Sequence, residues 1–160
     1  MATRSTIALE FADGTIGQVY CHWDGYLAHN GKMLQEYYSN PFVLRDLIDL
    51  GSLSSLRPQI GTKHPFSMFE ANMTQDEYAN LYRDMTTFYG RDRGEGQSDA
   101  TYFKDYEHFL VDGQEEEYDY ILRNVNGKPT WFVSDHGSDF RFLTLALVEE
   151  ILENVEVLPL

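Results

Sequence analysis

Asn126-Gly127 lies between two runs rich in β-branched and aromatic residues, Glu117 to Val125 (EYDYILRNV) and Thr130 to Ser134 (TWFVS). An Asn-Gly pair supplies two positive-φ positions at low steric cost, and the tight turn this allows twists in the sense that paired strands need. The spacing predicts an antiparallel hairpin. A second turn signal, Asp13-Gly14, separates Ser5 to Phe11 (STIALEF) from Ile16 to His22 (IGQVYCH) and predicts another. On the second strand Cys21 and His22 point to opposite faces, which argues against a thiol–imidazole pair. Met85 to Tyr89 reads as one further short strand.

The remaining segments carry helix signals. Lys32 to Tyr38 places Met33, Leu34 and Tyr37 at helical spacing. Asn40-Pro41 opens a helix with Asn40 as N-cap and Pro41 in the first position, and Gly51 ends it after Leu50. Thr74-Gln75-Asp76-Glu77 is a capping box, so a helix is expected to about Arg83 with Tyr78, Leu81 and Tyr82 buried. Asp99 is read as the cap of a helical segment through Phe103, Tyr106, Phe109 and Leu110 to Gly113. The last helix is expected from Phe142 to about Val155, with an apolar stripe wide enough to serve a homodimer contact. Ser52 to Pro65 and Gly90 to Gly96 read as loops. Together these predict one α+β domain over residues 1–160. It has a mainly antiparallel sheet of about five strands, with about four helices packed on one face.

Charge limits the partners. The chain carries a net charge of −14, with −1 in residues 1–65 and −13 in residues 66–160. Phosphate backbones and anionic lipids need Lys and Arg, so direct nucleic-acid binding and membrane binding are disfavoured and a basic partner is favoured. No apolar run approaches the ~20 residues of a membrane helix. The first residues lack the apolar segment of a signal peptide, and the single cysteine fits a reducing cytoplasm.

Three stretches carry candidate chemistry. Tyr20-Cys21-His22-Trp23-Asp24-Gly25-Tyr26 packs aromatic, imidazole and carboxylate groups into one corner. Its His22 and Asp24, with His29, are metal-ligand types, and a metal-dependent hydrolase using them is a weak reading because the spacing matches no ligand pattern. His64, Asp135 and His136 would join such a site only if the fold gathered them. The second stretch, Gly90-Arg91-Asp92-Arg93-Gly94-Glu95-Gly96, is glycine-rich with two arginines. With Tyr20, His22, Trp23, Asp24 and Tyr26 beside them, Arg91 and Arg93 would suit a phosphorylated or signalling nucleotide. The alternative is that the arginines pair with local carboxylates. The third is the acidic tract from Asp105 to Asp119, in which Asp112, Glu115, Glu116, Glu117 and Asp119 offer a surface to a basic partner. No cofactor motif, resident metal site or catalytic residue is expected.

The run Met1-Ala-Thr-Arg-Ser-Thr-Ile-Ala8, Tyr20 to Tyr26, Ser54-Ser55-Leu56, Tyr89-Gly-Arg-Asp-Arg-Gly-Glu95 and Tyr118 to Leu122 resembles a family of small proteins encoded by bacteriophages and prophages. The resemblance spans most of the chain. It implies a viral accessory protein, for host takeover or against host defence, acting in the bacterial cytoplasm. It transfers no catalytic residue. The leading expectation is therefore binding to a host protein with a basic surface, ahead of the nucleotide-binding alternative.

Overall fold

A computed structural model describes residues 2–153. Its eight strands are β1 (Ser5–Glu10), β2 (Ile16–Cys21), β3 (Leu53–Ser55), β4 (Thr87–Phe88), β5 (Thr101–Phe103), β6 (Tyr118–Val125), β7 (Lys128–Asp135) and β8 (Arg141–Phe142). Its helices are α1 (Lys32–Tyr37), entered through a π-helical turn at Leu27–Gly31, α2 (Pro41–Asp49), α3 (Gln75–Tyr82), α4 (Tyr89–Arg93), α5 (Tyr106–Asp112) and α6 (Leu143–Glu153).

One mixed sheet runs β4-β3-β2-β1-β6-β7-β8, with β5 also paired to β2. Both expected hairpins form: β1 pairs antiparallel with β2, and β6 with β7 over eight residue pairs. Asn126 and Gly127 have φ of 52° and 82°, the positive values the turn demands. The hairpins join through parallel pairing of β1 with β6. The outer edge of β2 is shared, parallel β3 taking its C-terminal end and antiparallel β5 its N-terminal half.

Alternation along the strands builds two cores. Ile7, Leu9, Val19, Cys21, Tyr120, Leu122, Trp131 and Val133 face one side. They pack on Leu34 of α1, on Leu44, Leu47 and Ile48 of α2, and on Leu143 and Ala146 of α6. Each such fully buried aliphatic side chain contributes roughly 1.5–3 kcal/mol. On the other side Ala8, Ile16 and Ile121 meet Phe103 of β5 and Phe109 of α5, whose rings contact edge to face at 5.5 Å. The central strands are thus covered twice, and β1 is buried along five of its six residues.

Several expectations need correction. The sheet has eight strands rather than about five, and α5 lies across it from α1, α2 and α6. The stretch Ser52 to Pro65 is not all loop: Leu53–Ser55 forms β3 and pairs with β4. The segment from Asp99 to Gly113 is not one helix. Phe103 ends a strand and Phe109 lies in α5, whose cap is Asp105, the side chain accepting from His108 N–H. A strand end and a helix deliver rings to the same core, and this mimics helical spacing. Gly90 to Gly96 begins as a helical turn, α4, closed by Gly94 at φ 72°. The Thr74 capping box forms with both its hydrogen bonds. Yet α3 buries none of its residues, and Leu81 is 57% exposed. The expected end of the last helix at Asn154 and Val155 lies outside the described residues.

Candidate functional site

Register places most of the candidate residues at one end of the sheet. Ser5 pairs with Cys21 on one side and Tyr118 on the other, and Tyr118 pairs with Asp135. Past that row the chain leaves the sheet as Arg4, as His22 to Tyr26, as Glu117 to Glu115 and as His136. The aromatic corner and the acidic tract are therefore neighbours, although they lie about ninety residues apart in sequence.

The corner is held by backbone. His22 and Trp23 N–H groups donate to Leu53 and Ser54 carbonyls, prolonging the strand pairing beyond Cys21. Asp24 sits at φ 58°, in the left-handed region. Gly25 N–H donates to the Thr3 carbonyl, and a Cβ at Gly25 would stand 2.7 Å from Ser5 Cβ and 2.9 Å from Thr3 O, so only glycine fits. Tyr120 Oη donates to Gly25 O at 2.7 Å. From behind, the buried Asn30 amide donates to Ser5 Oγ and Trp23 O. A turn fixed this way presents its side chains in one arrangement. Trp23 and Tyr26 are 44% and 40% exposed. His22 stands edge-on to Trp23 with ring centres 4.7 Å apart, and its Nδ1 lies 2.7 Å from Tyr20 Oη. Cys21 points into the core, and burial pushes its thiol up to about 11, which removes it as a nucleophile.

The acidic tract divides into an exposed and a buried part. Asp112 and Glu115 are exposed, and Glu116 and Glu117 are half-buried in a bend rather than on a strand. Burial raises the Glu116 carboxyl, with nearby Arg4 acting against the rise. Burial likewise raises the Tyr20 phenol, with Arg4 lowering it and Glu116 adding to the rise, so corner and tract share one electrostatic environment. Asp119, expected on the acidic surface, is instead fully buried. Its carboxylate accepts from Thr6 Oγ1 at 2.6 Å and from the Glu116 N–H. Gln18 Nε2 donates to Thr6 Oγ1 and to Gly113 O, so the buried chain Gln18–Thr6–Asp119 ties both ends of the acidic bend to the sheet. Burial raises the Asp119 carboxyl to about 6 despite these donors.

Arg91, expected to grip phosphate, is instead turned into the protein. Its guanidinium donates to the Ile60, Gly61 and Thr86 carbonyls and to both oxygens of buried Asp92, and it lies over the Phe88 ring. Five donor bonds to the protein leave it no role as a phosphate grip. Asp92 in turn accepts from His64 and Phe88 N–H groups. Arg93 is half-exposed, over the Phe66 ring and 3.6 Å from Glu95. The glycine-rich stretch is chiefly an internal clamp.

The candidate metal ligands occupy separate places. His29 Nδ1 meets Asn30 Oδ1 and its Nε2 meets Arg57, whereas His64 lies between Thr62 O, Thr87 and Tyr82. His136 packs edge-on to Tyr118, beside Asp135 at the far side of the sheet end from His22. Among the described residues no three His, Cys, Asp or Glu side chains gather in a metal-holding group. No described helix is long and apolar enough to cross a membrane.

The chain Gln18–Thr6–Asp119 was missed in the sequence. Its signal was present as polar residues on the Ala8, Ile16 and Ile121 face of three neighbouring strands. Comparison with known protein families, with curated proteins and with solved structures finds no match.

Proposed function

We propose that this protein acts by binding another protein, in the manner of a viral accessory factor engaging a host protein with a basic surface. The observation that carries the reading is the meeting of the acidic bend, exposed at Glu115 and half-buried at Glu116 and Glu117, and the rigid aromatic corner at one sheet end. Exposed Trp and Tyr on a fixed backbone are the residue types that dominate interface energy, because they bring large contact area at little entropic cost. Carboxylates beside them steer a basic partner and raise its association rate. Locked hydrogen bonds around Gly25 and Asn30 support recognition without rearrangement. The buried Cys21 and the committed Arg91 favour binding over nucleophilic or phosphate chemistry.

Affinity capture from infected host lysate tests this, with the parent chain set against Trp23→Ala and against the triple change of Glu115, Glu116 and Glu117 to Gln. One host protein should be retained by the parent and reduced by both variants. The triple variant should slow association and flatten the salt dependence, since screening acts over ~8 Å at physiological ionic strength. Equal retention by all three proteins would sink the proposal.

A further inference from the structure

A cleft of about 260 Å³ opens beneath α3, between that helix and the β3–β4 pair. One side of it is the inner stripe of α3, formed by Gln75, Tyr78, Ala79 and Tyr82. The spacing is that of one helix face. This explains why α3 buries no residue: its inner face looks onto a gap and not onto core. Across the gap stand Thr87 and the methionines Met68 and Met85, and Arg57 and Arg83 complete the lining.

Those two arginines bring two cations to one cleft in a chain with net charge −14. Arg91, Arg93, Arg123 and Arg141 each meet a carboxylate. Among the described residues Arg57 and Arg83, like Arg4 and Arg45, do not, and of these four it is Arg57 and Arg83 that share the cleft. Arg57 donates to Leu56 O and stands 3.3 Å from His29 Nε2, while Arg83 donates to Ala79 O and Asn80 Oδ1. Each keeps further N–H donors for a ligand.

Thr87 adds direction. His64 Nδ1 lies 2.8 Å from Thr62 O, and a carbonyl only accepts, so Nδ1 carries the ring proton. In neutral His64, Nε2 then accepts from the Thr87 hydroxyl at 3.1 Å. The hydroxyl proton then points inward, and the oxygen faces the cleft beside the Tyr78 hydroxyl, which also hydrogen-bonds Thr87.

We propose that this cleft binds a small phosphate monoester carried on a flat ring that bears an N–H or O–H donor, at most the size of a nucleoside monophosphate. Two guanidinium groups exceed what one carboxylate needs, whereas the oxygens of a phosphate monoester can serve both. Methionine sulfur and tyrosine make soft walls for a ring. The volume is just below the ~300 Å³ at which typical ligand pockets begin, which limits the occupant's size.

The test is thermal unfolding and calorimetric titration of the full chain with adenosine and guanosine 5′-monophosphates, with adenosine, inorganic phosphate and benzoate as controls. At least one nucleotide should raise Tm saturably, with the controls far weaker. Arg83→Gln should weaken that binding about tenfold while leaving the unliganded Tm unchanged, because Arg83 is exposed. Arg57→Gln should also weaken it, and Arg83→Gln decides the matter if the Arg57 variant folds poorly. The proposal is overturned if neither nucleotide binds. It is equally overturned if Arg83→Gln binds as the parent does, or if inorganic phosphate or benzoate matches the nucleotides.

Discussion

Asp119 makes the folded state sensitive to pH in a direction opposite to most carboxylates. Its carboxyl is fully buried, and burial raises it from the ordinary 3.8 to about 6. A carboxyl raised on folding binds its proton more tightly in the native state. Its protonated form therefore favours folding, and that contribution is lost as pH climbs from about 4 through about 6. The gap between 3.8 and about 6 amounts to about 3 kcal/mol, of which about 2 kcal/mol falls between pH 4 and pH 7. Asp119→Asn keeps an oxygen for Thr6 Oγ1 and removes the titration, although its amide meets the Glu116 N–H less well than a carboxylate does. Whatever its stability at one pH, the variant should gain about 2 kcal/mol relative to the parent between pH 4 and pH 7. Urea unfolding at half-unit pH steps measures this, read from the fluorescence of buried Trp131. A difference between the two proteins that stays flat over that range would refute the buried-carboxyl argument.

The two arginines of the glycine-rich stretch should behave unequally. Arg91→Ala leaves buried Asp92 without its cation and should lower stability by about 3–5 kcal/mol in denaturant unfolding, whereas Arg93→Ala should cost under about 1 kcal/mol. Cys21, buried and raised to about 11, should resist a thiol reagent at neutral pH in the native protein and react at once in denaturant. Rapid native labelling would contradict its place in the core.

Local chemistry explains what could be read in the chain. The Asn126-Gly127 turn, the Asn40-Pro41 start and the Thr74 capping box are short-range devices, and each forms where the residues call for it. The elements that escaped notice depend on distant partners. Leu53–Ser55 is a strand because it covers one end of β2, and Thr101–Phe103 because it covers the other; neither has a periodicity of its own. The sites follow the same division. The residues of the corner announce themselves by composition. The outward face of Trp23, the burial of Asp119 and the commitment of Arg91 are set by segments tens of residues away, and the cleft beneath α3 has no sequence signature at all.

The central place of β1 bears on how the chain is made. Its neighbour on one side, β2, follows within a few residues, but Thr6 waits for Asp119, 113 residues on, to cover its other edge. On the ribosome the N-terminal hairpin emerges early and carries one unpaired strand edge until β6 has been synthesised. A chain stalled before Tyr118 thus exposes an apolar ribbon to whatever else has an open edge. Ile7 and Leu9 can pack on Val19 and α2 early, but their core is completed by Tyr120, Leu122, Trp131 and Val133 only when the C-terminal hairpin docks.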